Sequence, residues 1–415
     1  MDQTAAMHRL RASPLLRRVS SACADPDVFL TGGSLRDRFL GLPTHDLDLV
    51  VRADVAACAE ALASAFSGTH FILGRPPVAT HRVTAGRLQI DLWQAEGPLR
   101  DDILRRDFTV NALLWRLPRG PLIDLVGGVE DLSAGRIRVV RPENLADDPL
   151  RVLRGVRLLA TRPQLKLTAE TEGLLSAAAG GLGRIAKERI LDELKQLLAG
   201  PAADRALLAT ARLGLLTPLV PAWQSFAHAT SLAVIARSLA GMAGGRSGRL
   251  AAGAAEVAMA VIAAPAAGFP AGWAVADAVA PLLRVGLGQS AARRIAAAVE
   301  AGECFRNVLG SDRQAERALA VEAASLLPPA LSWAVARTAA EGADLSAAAR
   351  RLLRWLHRFD HRPPLLSGEE IASVLRLPPD ARRAEAVSAL RLAQARGEAR
   401  SRPEALAFLR SRRSR

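Results

Sequence analysis

The sequence predicts an α+β protein: a mixed-sheet head followed by helices through the rest of the chain. Short β-type runs, such as Val28–Leu30 and Leu88–Trp93, alternate in the first 140 residues with glycine turns and short helical segments. Beyond residue 140, Ala, Leu and Arg dominate, and helical periodicity is interrupted mainly at prolines. Half of the 415 residues are apolar, yet only 4% are aromatic and none is Tyr, so alanine and leucine carry much of that fraction and favour helix.

The first elements can be justified one by one. Residues 1–27 read as a basic helical arm. Val28, Phe29 and Leu30 form a short strand, Gly32-Gly33-Ser34 turns the chain sharply, and Leu35 to Leu40 make about two helical turns ended by Gly41. Asp46 and Asp48 follow, two apart in an apolar run, so strand alternation sends both carboxylates to one face. A glycine turn opening a helix aims N–H groups and a hydroxyl at one point, which suits a phosphate, and paired carboxylates beside it suit magnesium. Asp54 caps a helix running to Phe66. Phe71–Arg82, broken by Pro76-Pro77, reads as a loop with an exposed His81. Arg82–Ala85 and Leu88–Trp93 then form a hairpin turned at Gly86, which brings Asp91 beside the first two carboxylates.

Arg105, Arg106, Asp107 and Asn111 crowd polar groups against an apolar run and must find partners. Asp148 caps the next helix, Pro149 suits its first turn, and Val152, Leu153, Val156 and Leu159 supply its buried side. Thr168 starts another helix, and Leu191, Leu194, Leu197 and Leu198 mark the one after it. From Pro201 to Pro363 there is no strong motif, only helices broken at Pro218, Pro221, Pro265, Pro270 and Pro328-Pro329. Ser367 and Glu370 have capping-box spacing, and Arg382 to Arg402 form a basic helix.

The formal charge of +14 comes almost wholly from arginine, because Lys166, Lys187 and Lys195 are the only lysines. Such a surplus favours a polyanionic partner, although a compositional bias toward arginine gives the same count. Cys23, Cys58 and Cys304 lack metal-ligand spacing and read as buried thiols of a reducing compartment. No secretory signal is visible at the N-terminus. Val257–Ala276 is a run of twenty residues without a formal charge, but Pro265, Gly268, Pro270 and Gly272 interrupt it and argue against a membrane span. His228 stands alone, and His357 and His361 lie far from it, so the ligand set of a phosphohydrolase is not evident.

GGSLRDRFLG followed by HDLDLVV resembles the signature of the nucleotidyltransferase superfamily, and its wording resembles the tRNA nucleotidyltransferase and bacterial poly(A) polymerase branch. Asp102–Leu113 is similar to that branch's RRDFT-x-NA segment. Pro121–Leu132 resembles the segment leaving the catalytic sheet, with Leu125 where relatives carry Pro. Asp147–Arg151 resembles its E-D-x-x-R motif with Asp147 replacing Glu, and Arg184–Ile190 matches RI-x-x-ERI, where Arg184, Glu188 and Arg189 brace the pocket. The matches cover residues 28–200, with a weaker one at the C-terminal end.

The resemblance implies a polymerase beta-like head at 1–140, a helical neck with the nucleobase site at 141–200, a helical body at 201–330 and an RNA-binding tail at 331–415. It implies magnesium-dependent attack of an RNA 3′-hydroxyl on the α-phosphate of CTP or ATP, two metals lying ~3.5–4 Å apart. Asp46, Asp48 and Asp91 would hold the metal; Gly32, Gly33, Ser34 and Arg36 would meet the triphosphate. Arg106, Asp107 and Asn111 would recognise the ribose, an internal Arg–Asp bridge being the alternative. Asp148 and Arg151 would select C and A through the exocyclic amine and ring nitrogen, unless they are a capping Asp paired with a helix Arg, and Arg154 would also bind the nucleotide. The implied substrate is the tRNA 3′ end in the cytoplasm, with no membrane. Poly(A) addition, partial CC or A addition, and a non-catalytic RNA-binding protein remain alternatives.

Overall fold

The computed structural model describes residues 3–23, 27–52, 54–74, 79–221, 235–239, 253–254, 256–263, 275–360, 364–377 and 381–413. Two compact units divide the chain, one of residues 1–159 and 163–185, the other of 160–162 and 186–415.

The first unit is built on a seven-stranded sheet: β1 (Val28–Thr31), β2 (Asp46–Val51), β3 (Thr69–Leu73), β4 (Thr80–Ala85), β5 (Leu88–Gln94), β6 (Leu113–Arg116) and β7 (Leu122–Asp124). Their order is β3-β4-β5-β2-β1-β6-β7. Only β2 and β5 run parallel, so the sheet is mixed. Register places Trp115, Leu30, Leu49, Leu92 and His81 side by side on one face, and all are buried. On the opposite face the neighbouring row reads Leu114, Thr31, Asp48, Asp91, Arg82 and Phe71. Alternation along each strand therefore separates an apolar core face from a face that carries charge.

Helices α1 (Gln3–Ala12) and α2 (Pro14–Ala22) form the N-terminal arm, α3 (Gly32–Phe39) follows β1 directly, and α4 (Val55–Ala65) packs on β3, β4 and β5. Asp54 caps α4, its Oδ1 accepting from Ala57 N at 3.0 Å. α5 (Leu99–Leu104) lies between β5 and β6, and after β7 come α6 (Gly128–Ala134), α7 (Glu143–Asp147), α8 (Arg151–Thr161) and α9 (Ala169–Ala178). Thr168 caps α9, as its hydroxyl and spacing predict.

Four sequence readings need correction. Cys23 and Cys58 are not separate thiols: α2 ends against α4, and the two buried sulfurs are joined in a disulfide across 35 residues, while Cys304 is exposed. Phe71–Leu73 belongs to β3 and Thr80–His81 to β4; Arg75–Val78 lie outside the described residues. The strand was hidden because β3 is an edge strand whose Phe71, Ile72 and Leu73 are all exposed, which removes the buried-exposed alternation. His81 is buried on the core face, stacked on His70 with Nδ1 3.0 Å from His70 Nε2. The basic C-terminal stretch is two helices, Ala381–Arg396 and Arg402–Arg413, parted where Gly397 takes φ +78°.

Described helices of the second unit include α10 (Lys187–Ala199), α11 (Ala203–Arg212) and others at Gln289–Val308, Leu327–Ala339 and Ser346–Asp360. Phe305, Leu331, Val335, Leu352 and Leu356 share one core, and Ile371, Leu390 and Leu409 another. Pro328 and Pro329 sit at the start of their helix, and Ser367 and Glu370 form both bonds of a capping box. Among the described residues no helix is long and apolar enough to cross a membrane; residues 264–274 of the apolar run, His228 and His361 lie outside them.

The disulfide gives a direct expectation. The denatured, unreduced chain should titrate one thiol and the reduced chain three, and Cys58→Ser should lower the unfolding free energy by about 2–4 kcal/mol. Three reactive thiols before reduction would contradict the pairing.

Candidate active site

The glycine turn is a clasp on Asp48. Gly32 opens α3 at φ +61°, and a Cβ there would lie 2.8 Å from Asp48 Oδ2, so both the backbone and the close approach require glycine. Ser34 N donates to Asp48 Oδ2 at 3.2 Å, and Asp48 N donates to Ser34 Oγ at 3.0 Å. The hydroxyl in turn donates to Thr31 O at 2.8 Å. Ser34, expected to face a phosphate, thus spends these groups on the two strands beside it. Gly33 lies over the Arg36 guanidinium, whose Nη2 would be 3.3 Å from a Cβ at that position.

The three carboxylates fall where strand alternation predicts. Asp46 is exposed, Asp48 and Asp91 are half-buried, and Asp48 and Asp91 are direct register partners across β2 and β5. Burial pushes the Asp48 carboxyl up; the Ser34 N–H, Arg106 and Arg36 draw it down without cancelling that effect, and Asp91 adds to it. Asp91 is gripped in a bidentate pair by Arg82, with Nε 2.6 Å from Oδ1 and Nη2 2.7 Å from Oδ2. Arg82 was absent from the sequence candidates, although counting outward from the Gly86 turn pairs it with Asp91. Among the described residues no three Asp, Glu, His or Cys side chains are gathered closely enough to enclose a metal ion.

Behind the carboxylates runs a buried polar chain. Arg36, 6% exposed, donates from Nε to Asp37 Oδ1 at 2.8 Å and from Nη1 to Asn111 Oδ1 at 2.6 Å. Asn111 Nδ2 donates to Asp107 Oδ1 at 3.0 Å, and Asp107 Oδ2 forms an ion pair with Arg154 Nε at 3.2 Å. Burial pushes the Asp107 carboxyl up, but Arg154, the Asn111 amide, the Phe108 N–H and Arg151 outweigh it and hold it below the usual range. Arg106 is engaged separately. Its Nη2 donates to Asp102 Oδ2 at 2.6 Å, its Nη1 donates to Asn111 O at 3.2 Å, and its guanidinium lies over the Trp93 ring. Arg105 takes the other oxygen of Asp102, and Asn144 Nδ2 pins the segment through Leu104 O and Arg106 O. Asp102 and Asn144 were not singled out from the sequence; the i,i+4 spacing of Asp102 and Arg106 was the available signal.

Between α7 and α8, Asp148 takes an extended conformation, and Arg151 begins α8. Asp148 therefore precedes the helix rather than sharing its face, and its Oδ1 accepts from Leu150 N at 3.4 Å. Gly155 lets α8 close on Phe108, whose Cζ would be 2.9 Å from a Cβ there. Arg151 is half-buried, and its Nε and Nη1 are buried without a hydrogen-bond partner. Burial pulls its pKa down, while Asp107, Asp148 and Asp147 act to raise it. A desolvated guanidinium with open donors is arranged to take an acceptor from a ligand. Arg184, Glu188 and Arg189 are exposed.

Residues 28–138 match the family described as "Poly A polymerase head domain", and residues 164–226 match "Probable RNA and SrmB- binding site of polymerase A". The chain is 36% identical over 219 residues to a CC-adding tRNA nucleotidyltransferase of Synechocystis sp., covering 52% of this chain and 51% of the relative. It is 40% identical over 201 residues to an A-adding tRNA nucleotidyltransferase of Deinococcus radiodurans, covering 47% and 45%. The chain thus spans about half the length of the curated relatives it matches. Its fold is similar to that of a Bacillus stearothermophilus CCA-adding enzyme solved with CTP, with a TM-score of 0.71 at 21% identity over 100% of this chain and 98% of the other. A Thermotoga maritima CCA-adding enzyme solved with tRNA gives a TM-score of 0.67 at 22% identity over 99% and 98%.

Removing the charge of Asp107 should loosen the hold of α8 on the segment before β6. Asp107→Asn is expected to lower stability at pH 7 by about 2–4 kcal/mol, discounted for the exposure of Arg154. Because the folded pKa lies below the unfolded value of ~3.9, this stabilisation is complete above that value and disappears as pH falls through the folded one. Urea midpoints of the two proteins should therefore converge in acid; a gap independent of pH would contradict the ion-pair origin. The turn, the strand carboxylates, the RRD segment and the two partial family matches together make residues 28–138 and 164–226 of this chain similar to the tRNA nucleotidyltransferase and poly(A) polymerase family.

Proposed function

We propose that this chain is a tRNA nucleotidyltransferase that adds CMP and AMP from CTP and ATP to the tRNA 3′ end without a nucleic-acid template. The observation that carries this reading is the placement of Asp46, Asp48 and Asp91 on one face of adjacent strands, with Asp48 clasped by the glycine turn. These hard oxygen donors suit magnesium, which is commonly held by one or two carboxylates completed by substrate phosphates and water, so a closed trio of protein ligands is not required. Asp46 and Asp48 would hold it, with Asp91 in reserve beside them. The bound ion supplies activation of the attacking hydroxyl and charge neutralisation on the triphosphate.

The chain's own residues do the positioning. Gly32 and Gly33 keep the turn clear of side chains where the triphosphate enters. Arg36, buried behind them, fixes Asn111 and braces the turn instead of reaching solvent. Arg106, Asp107 and Asn111 shape the wall beside the sugar. Arg151 offers its open donors to a ring nitrogen, and Asp148 can accept from the exocyclic amine shared by cytosine and adenine. Arginines of the tail helices supply contacts to RNA phosphates. A cytoplasmic setting accords with this substrate. Restriction to one kind of nucleotide is a second reading, favoured by the presence of both CC-adding and A-adding enzymes among the relatives.

Labelled CTP and ATP should be incorporated into tRNA transcripts ending before CCA, after C and after CC, with Mg²⁺ and not with EDTA, stopping after the terminal A. Long A runs on any RNA would support poly(A) addition, and incorporation at a single stage would support the second reading. Asp48→Asn should cut incorporation by more than about a hundredfold while leaving RNA affinity near wild type. It should also melt at a higher temperature, because a charge that burial disfavours has been removed. Unchanged incorporation would contradict the role of Asp48.

A further inference from the structure

The row across the charged face of the sheet contains one charged member that the proposed chemistry does not use. Asp48 on β2 faces Asp91 on β5, and Asp91 faces Arg82 on β4. Two carboxylates directly opposite each other repel, so the bare sheet needs a cation at this point. Arg82 provides it with a two-pronged grip on both oxygens of Asp91, and its guanidinium also lies in the fields of Asp46 and Asp48. The pair is partly shielded, with side-chain exposures of 29% for Arg82 and 18% for Asp91. Each carboxylate oxygen of Asp91 is thus already engaged by a guanidinium N–H.

We propose that Arg82 is a positioning residue that holds Asp91 in reserve while the head is metal-free, so that a divalent ion seated by Asp46 and Asp48 gains Asp91 only by displacing the guanidinium. This deepens the reading of Asp46 and Asp48 as metal ligands and rests on it. Arginine suits the task because its planar fork matches a carboxylate in two places, whereas lysine offers only a point charge. Arg82 therefore sets how tightly the site takes its metal before nucleotide arrives. It keeps the strand carboxylates neutralised when no ion is bound.

The test is a Mn²⁺ titration of the full chain without nucleotide or RNA, following free Mn²⁺ by its electron paramagnetic resonance signal. Arg82→Gln is expected to bind Mn²⁺ about tenfold more tightly than wild type, a gain set by the strength of one shielded charged pair. The gain should vanish when Asp91→Asn is also present. Arg82→Lys keeps the charge but loses the fork, and is expected to tighten binding as well. Equal or weaker binding by Arg82→Gln would overturn the proposal. So would a gain that survives Asp91→Asn, or wild-type affinity in Arg82→Lys, because either would reduce Arg82 to a remote positive charge. Asp48→Asn is the independent arm: if it leaves Mn²⁺ binding intact, the metal site itself has been misplaced and the proposal falls with it. Thermal melts of each variant establish that the head remains folded.

Discussion

The structure depends on a buried polar chain running from Asp37 through Arg36, Asn111 and Asp107 to Arg154. Each link joins groups that would be costly to bury alone, and the chain starts on the helix that follows the glycine turn and ends on the first long helix of the neck. Hydrophobic packing accompanies it at Gly155, where α8 meets Phe108. The helix that opens with the glycine turn and the helix that begins at Arg151 are therefore joined by one connected set of polar groups. A change at Asn111 would be felt at both ends.

A second constraint acts across the sheet. Strand alternation puts the apolar row of Leu30, Leu49 and Leu92 on one face and the charged row of Asp48, Asp91 and Arg82 on the other. The core row makes the register costly to slip, and the register in turn fixes which carboxylates become neighbours. Burial that stabilises the head also disfavours the Asp48 charge. The site is thus held by the same packing that makes it electrostatically uncomfortable, and a cation relieves that tension.

Much of the head was legible in the sequence because its signals are local. The Gly32-Gly33 turn, the two-residue spacing of Asp46 and Asp48, the hairpin at Gly86 and the caps at Asp54, Thr168 and Ser367 each rest on a few adjacent residues. Features that depend on meetings between distant segments were not legible. Cys23 and Cys58 are bridged only because α2 ends on α4, and Arg36 is buried only because Asn111 arrives from 75 residues away. The edge strand β3 was missed because exposure on both sides erased its alternation. Helices of the second unit share an Ala, Leu and Arg composition that records helicity without recording which faces pack.

Base selection by protein side chains, with Arg151 at its centre, is the claim on which the functional reading turns. Calorimetric titration of the full chain with each of the four ribonucleoside triphosphates, with Mg²⁺ and no RNA, tests it most directly. CTP and ATP should bind at least about tenfold more tightly than GTP and UTP, and Arg151→Ala should level the four. Equal binding of all four by the unaltered chain would contradict it.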